Sequence, residues 1–152
     1  MPAFFSHFLC GEESLKFIDK TEIKNTVDKH KNTFVLGTQG PDFFYFHRIH
    51  FWTDKGSLYY IGTLFHKEII SQFFELSLDY IMNRPDSEKE VLLAYLYGYV
   101  CHYALDTEAH PYVFYKTGFA RKGEKSSKFK IYHRKFEYAI DVLMCNLLRG
   151  RA

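Results

Sequence analysis

Residues 98–111 read GYVCHYALDTEAHP and place three metal-binding side chains, His102, Asp106 and His110, at four-residue intervals. Each residue of an α-helix advances by about 100°, so residues four apart differ by about 40° and stack one turn apart on one face. An imidazole and a carboxylate in that arrangement can bind one divalent cation. Equally, His102 and Asp106 can form a buried hydrogen-bonded pair in a helical core. The stretch therefore predicts a central helix with donors along one face, ending or kinking at Pro111.

Gly98 stands one turn before His102 in the same predicted helix. Glycine inside a helix costs about 1 kcal/mol relative to alanine. That cost is explained most simply if another part of the molecule approaches the helix backbone there. We therefore expect a close approach at Gly98.

The composition is typical of one folded domain. The chain has 152 residues, of which 47% are hydrophobic and 25% charged, so it can bury a core and disorder is not indicated. The net charge of +2 is too small to indicate nucleic acid by itself. Aromatic residues reach 19%, and one interpretation is an aromatic pocket for a choline-like cation or a nucleobase. Core packing explains the candidate lining residues equally well: Phe4, Phe44, Tyr45, Phe65, Tyr103 and Tyr112.

Cysteine usage and the N-terminus predict a reduced, cytoplasmic protein. Cys10, Cys101 and Cys145 are an odd number without C-x-x-C spacing, so neither a disulfide framework nor a thiolate zinc site is indicated. The N-terminal residues lack the cationic and apolar regions of a signal peptide. No apolar run approaches the roughly 20 residues that span a bilayer.

Helical periodicity recurs along the chain, and no alternating strand pattern of useful length is present. After an aromatic leader, residues 1–11, a first helix is expected from Glu12 or Ser14 to Val27. Glycines and a proline predict a loop over residues 34–42, with Asp42 as the N-cap of the next segment. His66 is expected to open another helix, and residues 131–148 to form the last one. The pattern predicts an all-α, single-domain bundle of about five to seven helices over residues 1–152.

The candidate metal ligands are nitrogen and oxygen donors spread over five segments of the chain. They are His7, Asp42, His66, His102, Asp106, His110, His133 and Glu137. Each has a structural alternative, such as a helix cap, an exposed terminal residue, or a surface pair four residues apart. Such a pair stabilises a helix by only about a few tenths of a kcal/mol. Nucleotide-binding glycine motifs and the H-E-x-x-H zinc motif are absent.

The order of these motifs resembles the superfamily of zinc-dependent phospholipases C and single-strand (S1/P1-type) nucleases, all-helical hydrolases with a three-zinc cluster. The resemblance covers nearly the whole chain. It is carried, in order, by His7 followed by Gly11, Gly40-Pro41-Asp42, His66, Gly98-x-x-x-His102-x-x-x-Asp106 and His133-x-x-x-Glu137.

The resemblance implies a ligand set for each zinc ion. The first ion would bind Asp42, His66, His102 and Asp106. The second would bind His110, His133 and Glu137, although Asp106 and His110 are four residues apart where the family usually has six. The third would share Asp106 and use His7 with the N-terminal amine, here the imine nitrogen of Pro2 after methionine removal.

The implied activity is a metal-dependent phosphoester hydrolase, phospholipase C-like, with two or three zinc ions or with iron or manganese in their place. Asp42 would act as ligand or as general base toward the attacking water. The substrate would be a phospholipid or a small phosphoester. Two alternatives remain open: a nuclease or nucleotidase with the same cluster, and a non-catalytic, metal-stabilised protein that binds a lipid or a partner.

Overall fold

The computed structural model describes residues 4–47, 58–120 and 127–150, and these segments are almost entirely helical. Within them no strand occurs, so the prediction of an all-α fold is confirmed. In chain order the elements are α1 (Phe4–Lys16), α2 (Thr21–Lys29), α3 (Lys31–Thr38), a short 3-10 helix (Asp42–Phe46), α4 (Tyr59–Lys67), α5 (Ile70–Met82), α6 (Asp86–Thr117) and α7 (Ser127–Arg149).

The contacts divide the chain into two compact units. Unit 1 comprises residues 1–17 and 100–152, and unit 2 comprises residues 18–99. The prediction of a single domain stays a prediction. In the segments that the structure describes, no helix combines the length and the apolar character needed to cross a bilayer.

Unit 1 is built on the packing of α1 against α7. Leu9 of α1 and Val113 of α6 are buried in its core. The predicted aromatic leader is wrong, because residues 4–11 belong to α1. The predicted continuous helix to Val27 is also wrong. The chain leaves unit 1 after Phe17, and the residues up to Lys20 are not helical, so that α2 starts afresh in unit 2.

Unit 2 has a core of apolar side chains from its helices, with Val27, Phe34, Ile81, Ala94, Leu96 and Tyr99 buried. The loop predicted from residue 34 to residue 42 is shorter than expected, since α3 continues to Thr38. The chain turns at Gly40, whose φ of 51° lies in the left-handed region that favours glycine.

Two glycines of unit 2 let the backbones of α3 and α6 touch. A Cβ atom added at Gly37 would lie 2.1 Å from the carbonyl oxygen of Tyr95, and one added at Gly98 would lie 2.2 Å from that of Phe34. Both distances are far inside van der Waals contact, and both neighbours are backbone atoms. The expected close approach at Gly98 is therefore confirmed, and its partner is the backbone of α3.

Two predicted helix boundaries are corrected by the structure. His66 does not open a helix but stands next to the end of α4, which closes where the N–H groups of Glu68 and Ile69 both donate to the Leu64 carbonyl oxygen. Pro111 does not end α6, which continues to Thr117, so of the two predicted outcomes only a kink stays a prediction. Val113 is buried beyond the proline. This packing keeps the chain helical despite the missing proline N–H.

Candidate metal centre

The first group of candidate ligands lies in unit 1, where α1 meets α6. His7 is fully buried, His102 is 2% exposed, and their rings stack with centroids 4.1 Å apart. The Asp106 carboxylate faces both rings, with Oδ1 3.4 Å from His7 Nε2 and Oδ2 3.6 Å from His102 Nε2. One donor atom from each of the three residues lies within 4.8 Å of the other two. This spacing suits a shared cation.

The surroundings of His7 support that assignment. Among the residues that the structure describes, none provides a hydrogen-bond partner for its buried Nδ1 atom. A buried polar nitrogen without a partner costs free energy, so such positions in native structures usually have a reason. The Nε2 atoms of His7 and His102 both face the Asp106 carboxylate, so one cation between the three side chains could bind both nitrogens and the carboxylate. The donor set, nitrogen and carboxylate oxygen, is one that zinc accepts.

The second group, also in unit 1, joins α6 to α7. Glu137, only 4% exposed, places Oε1 2.8 Å from His133 Nε2 and 3.6 Å from His110 Nε2. The two rings stack with centroids 5.4 Å apart. Single donor atoms from the three residues again lie within 4.8 Å of one another. His133 and Glu137, four residues apart on α7, therefore pair through a buried carboxylate and a half-buried imidazole, and not as the fully exposed surface contact of the structural alternative.

The hydrogen bond of His110 fixes which of its ring nitrogens can bind metal. Nδ1 donates to the backbone oxygen of Asp106 at 2.9 Å, so in the neutral ring Nε2 carries the lone pair. That lone pair faces the Glu137 carboxylate, and the contact is repulsive unless a proton or a metal ion lies between them. Metal-binding histidines commonly donate their second N–H to a carbonyl in this way. The four-residue spacing of Asp106 and His110 is thus compatible with a ligand role.

Asp106 stands between the two groups. Its Oδ1 atom lies 3.4 Å from His7 Nε2 and also 3.4 Å from His110 Nδ1. Burial raises the pKa of its carboxyl, but the hydrogen bond from His7 and the charges of His102, His7 and His110 together outweigh this effect and lower the pKa to about 2. The group is therefore ionised at neutral pH and can serve as the anionic ligand of the first group.

Asp42 and His66 form a similar pair within unit 2. Asp42 Oδ1 lies 3.0 Å from His66 Nε2, and His66 Nδ1 donates to the Gly62 carbonyl oxygen at 2.7 Å. As at His110, a nitrogen lone pair then faces a carboxylate, which favours a proton or a metal ion between them. The alternative of Asp42 as a helix cap is wrong, since Pro41 occupies the cap position of the 3-10 helix and no side-chain cap bond forms. Pro2 lies outside the described residues.

Sequence reasoning missed one residue that shapes the site, Asp141 of α7. Its carboxylate accepts hydrogen bonds from the backbone N–H groups of Phe5 at 3.0 Å and Ser6 at 2.8 Å, and from the Ser6 hydroxyl. It therefore caps the first turn of α1 immediately before His7. The available signal was the four-residue series His133, Glu137, Asp141, which puts three polar side chains on one helix face.

Replacing Asp141 with alanine is expected to lower the free energy of unfolding by about 1–2 kcal/mol, because it removes the acceptor for the free N–H groups of α1. For a chain of this size the melting temperature should fall by roughly 2–8 °C, which thermal denaturation followed by circular dichroism can measure. Glu75→Ala, an exposed acidic residue of α5, is the matched control and should change stability by less than about 0.5 kcal/mol. Equal effects of the two substitutions would contradict the capping role.

Together the fold and the site define an all-helical protein with candidate sites for divalent metal ions. A family model described as zinc dependent phospholipase C matches residues 6–151. The chain therefore belongs to the zinc-dependent phospholipase C family, and the predicted resemblance is confirmed. The chain has no significant match among the curated proteins or among the solved structures.

Proposed function

We propose that the protein is a zinc-dependent phosphodiester hydrolase that cleaves phospholipids in the manner of a phospholipase C. The observation that carries this proposal is the presence in unit 1 of two groups of three buried or half-buried donors each, in a chain of this family. In one group these are His7, His102 and Asp106, and in the other His110, His133 and Glu137.

The residues of unit 1 would hold zinc and keep its ligands oriented. When bound, zinc polarises a phosphoryl oxygen and acidifies water. Asp106 supplies a negative charge to both groups of histidines. The carbonyl oxygen of Asp106 holds the Nδ1 proton of His110 and so directs Nε2 toward Glu137. Asp141 fixes the turn that carries His7. The family resemblance further assigns His66 as a ligand and Asp42 as ligand or general base.

The experiment combines metal analysis with a substrate panel. Protein purified without added metal is analysed for zinc, iron and manganese and then assayed with phosphatidylcholine, single-stranded DNA and 3′-nucleotides. We expect bound zinc and release of phosphocholine from phosphatidylcholine. His102→Ala should abolish turnover, whereas His30→Ala, a half-buried histidine near Glu90, should retain it.

The other outcomes would each contradict the proposal in a defined way. Turnover confined to DNA or to 3′-nucleotides would make the protein a nuclease or a nucleotidase. Bound metal without turnover of any phosphoester, together with a lower melting temperature for His102→Ala, would indicate a metal-stabilised binding protein. Purified, folded protein that contains no metal would contradict the assignment of a metal centre.

Chelation at neutral pH is expected to destabilise the protein, because metal that binds only the folded state stabilises it by mass action. When the free metal concentration is about 100 times the dissociation constant, binding at one site adds about 3 kcal/mol to the free energy of unfolding. The melting temperature should therefore fall by roughly 6–12 °C in EDTA and return when zinc is added in excess. An unchanged melting curve would count against bound metal.

A further inference from the structure

Large aromatic side chains stand exposed where α6 ends and α7 begins, both in unit 1. Tyr112 is 54% exposed, Tyr115 80%, Phe119 64% and Tyr132 47%. Such rings normally lie in a core or an interface, because each exposes a large apolar area to water. With the neighbouring lysines, they are called here the aromatic face, defined by Tyr112, Tyr115, Lys116, Phe119, Lys128 and Tyr132.

Two lysines lie among these rings. The ammonium of Lys116 is 5.4 Å from the ring centre of Tyr112 and 5.5 Å from that of Tyr115. The ammonium of Lys128 is 5.6 Å from the ring centre of Tyr132. These distances are within the range of cation–π attraction. Each lysine therefore combines positive charge with amphipathic rings, as at the interface between a bilayer and water, where tyrosines lie at headgroup level and lysines attract anionic lipids.

One member of the aromatic face, Phe119, is linked to the second group of candidate ligands through the ring of Phe114. The ring of Phe114 lies 4.9 Å from that of His133 and 5.7 Å from that of His110. On its other side it contacts Phe119, with centroids 6.4 Å apart. Through Phe119, the aromatic face therefore reaches the aromatic surroundings of His110 and His133.

We propose that the aromatic face docks onto an anionic phospholipid bilayer and presents lipid headgroups to the metal centre. The second half of this proposal rests on the proposed function, but the docking does not. Exposed rings with lysines also suit single-stranded nucleic acid. A lipid surface is favoured by Ile131, which follows Lys128 by three residues and is 51% exposed. An aliphatic side chain adds area for the acyl boundary but cannot stack on a base.

The test is sedimentation of the purified protein with vesicles of phosphatidylcholine, with and without phosphatidylserine. We expect stronger binding to the vesicles that contain phosphatidylserine. Tyr115→Ser combined with Phe119→Ser should weaken binding at least about tenfold, since each ring loses apolar burial. Lys116→Gln combined with Lys128→Gln should lose about fivefold per lysine and abolish the preference for phosphatidylserine. Phe17→Ser is the control, since Phe17 is 82% exposed and not part of the face.

Two further measurements separate this inference from the proposed function. Hydrolysis of a short-chain, monomeric phosphatidylcholine should be unchanged in the face variants, whereas hydrolysis of vesicles should fall with binding. Vesicle binding without any hydrolysis would overturn the proposed function and leave the docking intact. Hydrolysis of monomeric lipid by a protein that binds no vesicle would overturn the docking. Loss of oligonucleotide binding in the variants, with vesicle binding unchanged, would also overturn it.

Discussion

Replacing Asp106 with asparagine is expected to remove bound zinc and to reduce phospholipid hydrolysis by at least about 100-fold. Substituting a residue that only hydrogen-bonds a metal ligand reduces activity by about 100-fold at most, so the loss of a ligand should exceed that value. The substitution keeps the size of the side chain and removes its negative charge. The Asp106 carboxylate lies 3.4 Å from His7 Nε2 and 3.6 Å from His102 Nε2, and its Oδ1 atom also lies 3.4 Å from His110 Nδ1. Without the carboxylate, those imidazoles lose the anion beside them, and the first group loses the carboxylate among its three donors.

The measurement for this variant is zinc content per chain together with initial rates of phosphocholine release. Asp79→Asn, an exposed residue of α5, makes the same chemical change and should leave zinc content and rate unaltered. Circular dichroism must show that the asparagine variant is still helical. Full zinc content and full activity in folded Asp106→Asn protein would contradict the assignment of Asp106.

The second large effect is expected on stability, from Gly98→Ala. The added Cβ atom would lie 2.2 Å from the backbone oxygen of Phe34 and 2.7 Å from the backbone nitrogen of Thr38. Neither atom can move without shifting α3, so the substitution overpacks the crossing and should cost about 3 kcal/mol. For a chain of this size the melting temperature should fall by roughly 6–12 °C.

Gly62→Ala provides the control for this experiment. Gly62 is also helical and buried, but its added Cβ atom would meet the Tyr45 ring at 3.0 Å, which is a side chain and can rotate away. Alanine also gains about 1 kcal/mol of helix propensity. Gly62→Ala should therefore cost clearly less than Gly98→Ala. Similar melting temperatures for the two variants would show that the crossing of α3 and α6 is not tight.

The all-α fold and the candidate ligands could be predicted from the sequence because both depend on the spacing of residues close together in the chain. His102 and Asp106, like His133 and Glu137, are one helical turn apart, so their side chains share a face wherever the helix lies. The significance of Gly98 could also be anticipated, since a glycine inside a helix usually has a packing or functional reason. Its partner, the backbone of α3, could not, because the contact joins residues far apart in the chain.

The errors concern features decided by such distant contacts. The start of α1 depends on Asp141, more than a hundred residues away, and no pattern near Phe4 reveals that cap. The continuation of α6 beyond Pro111 depends on packing that outweighs the local effect of a proline. The end of α1 at Lys16 falls next to the boundary between the two compact units, which no local pattern marks.

The most direct test of the metal centre is a crystal structure with anomalous scattering measured at the zinc absorption edge, on protein purified without added metal. We expect one anomalous peak among the side chains of His7, His102 and Asp106 and another among those of His110, His133 and Glu137. An anomalous map without peaks at either position, in crystals of folded protein that retains hydrolytic activity, would contradict the central claim that these side chains bind zinc.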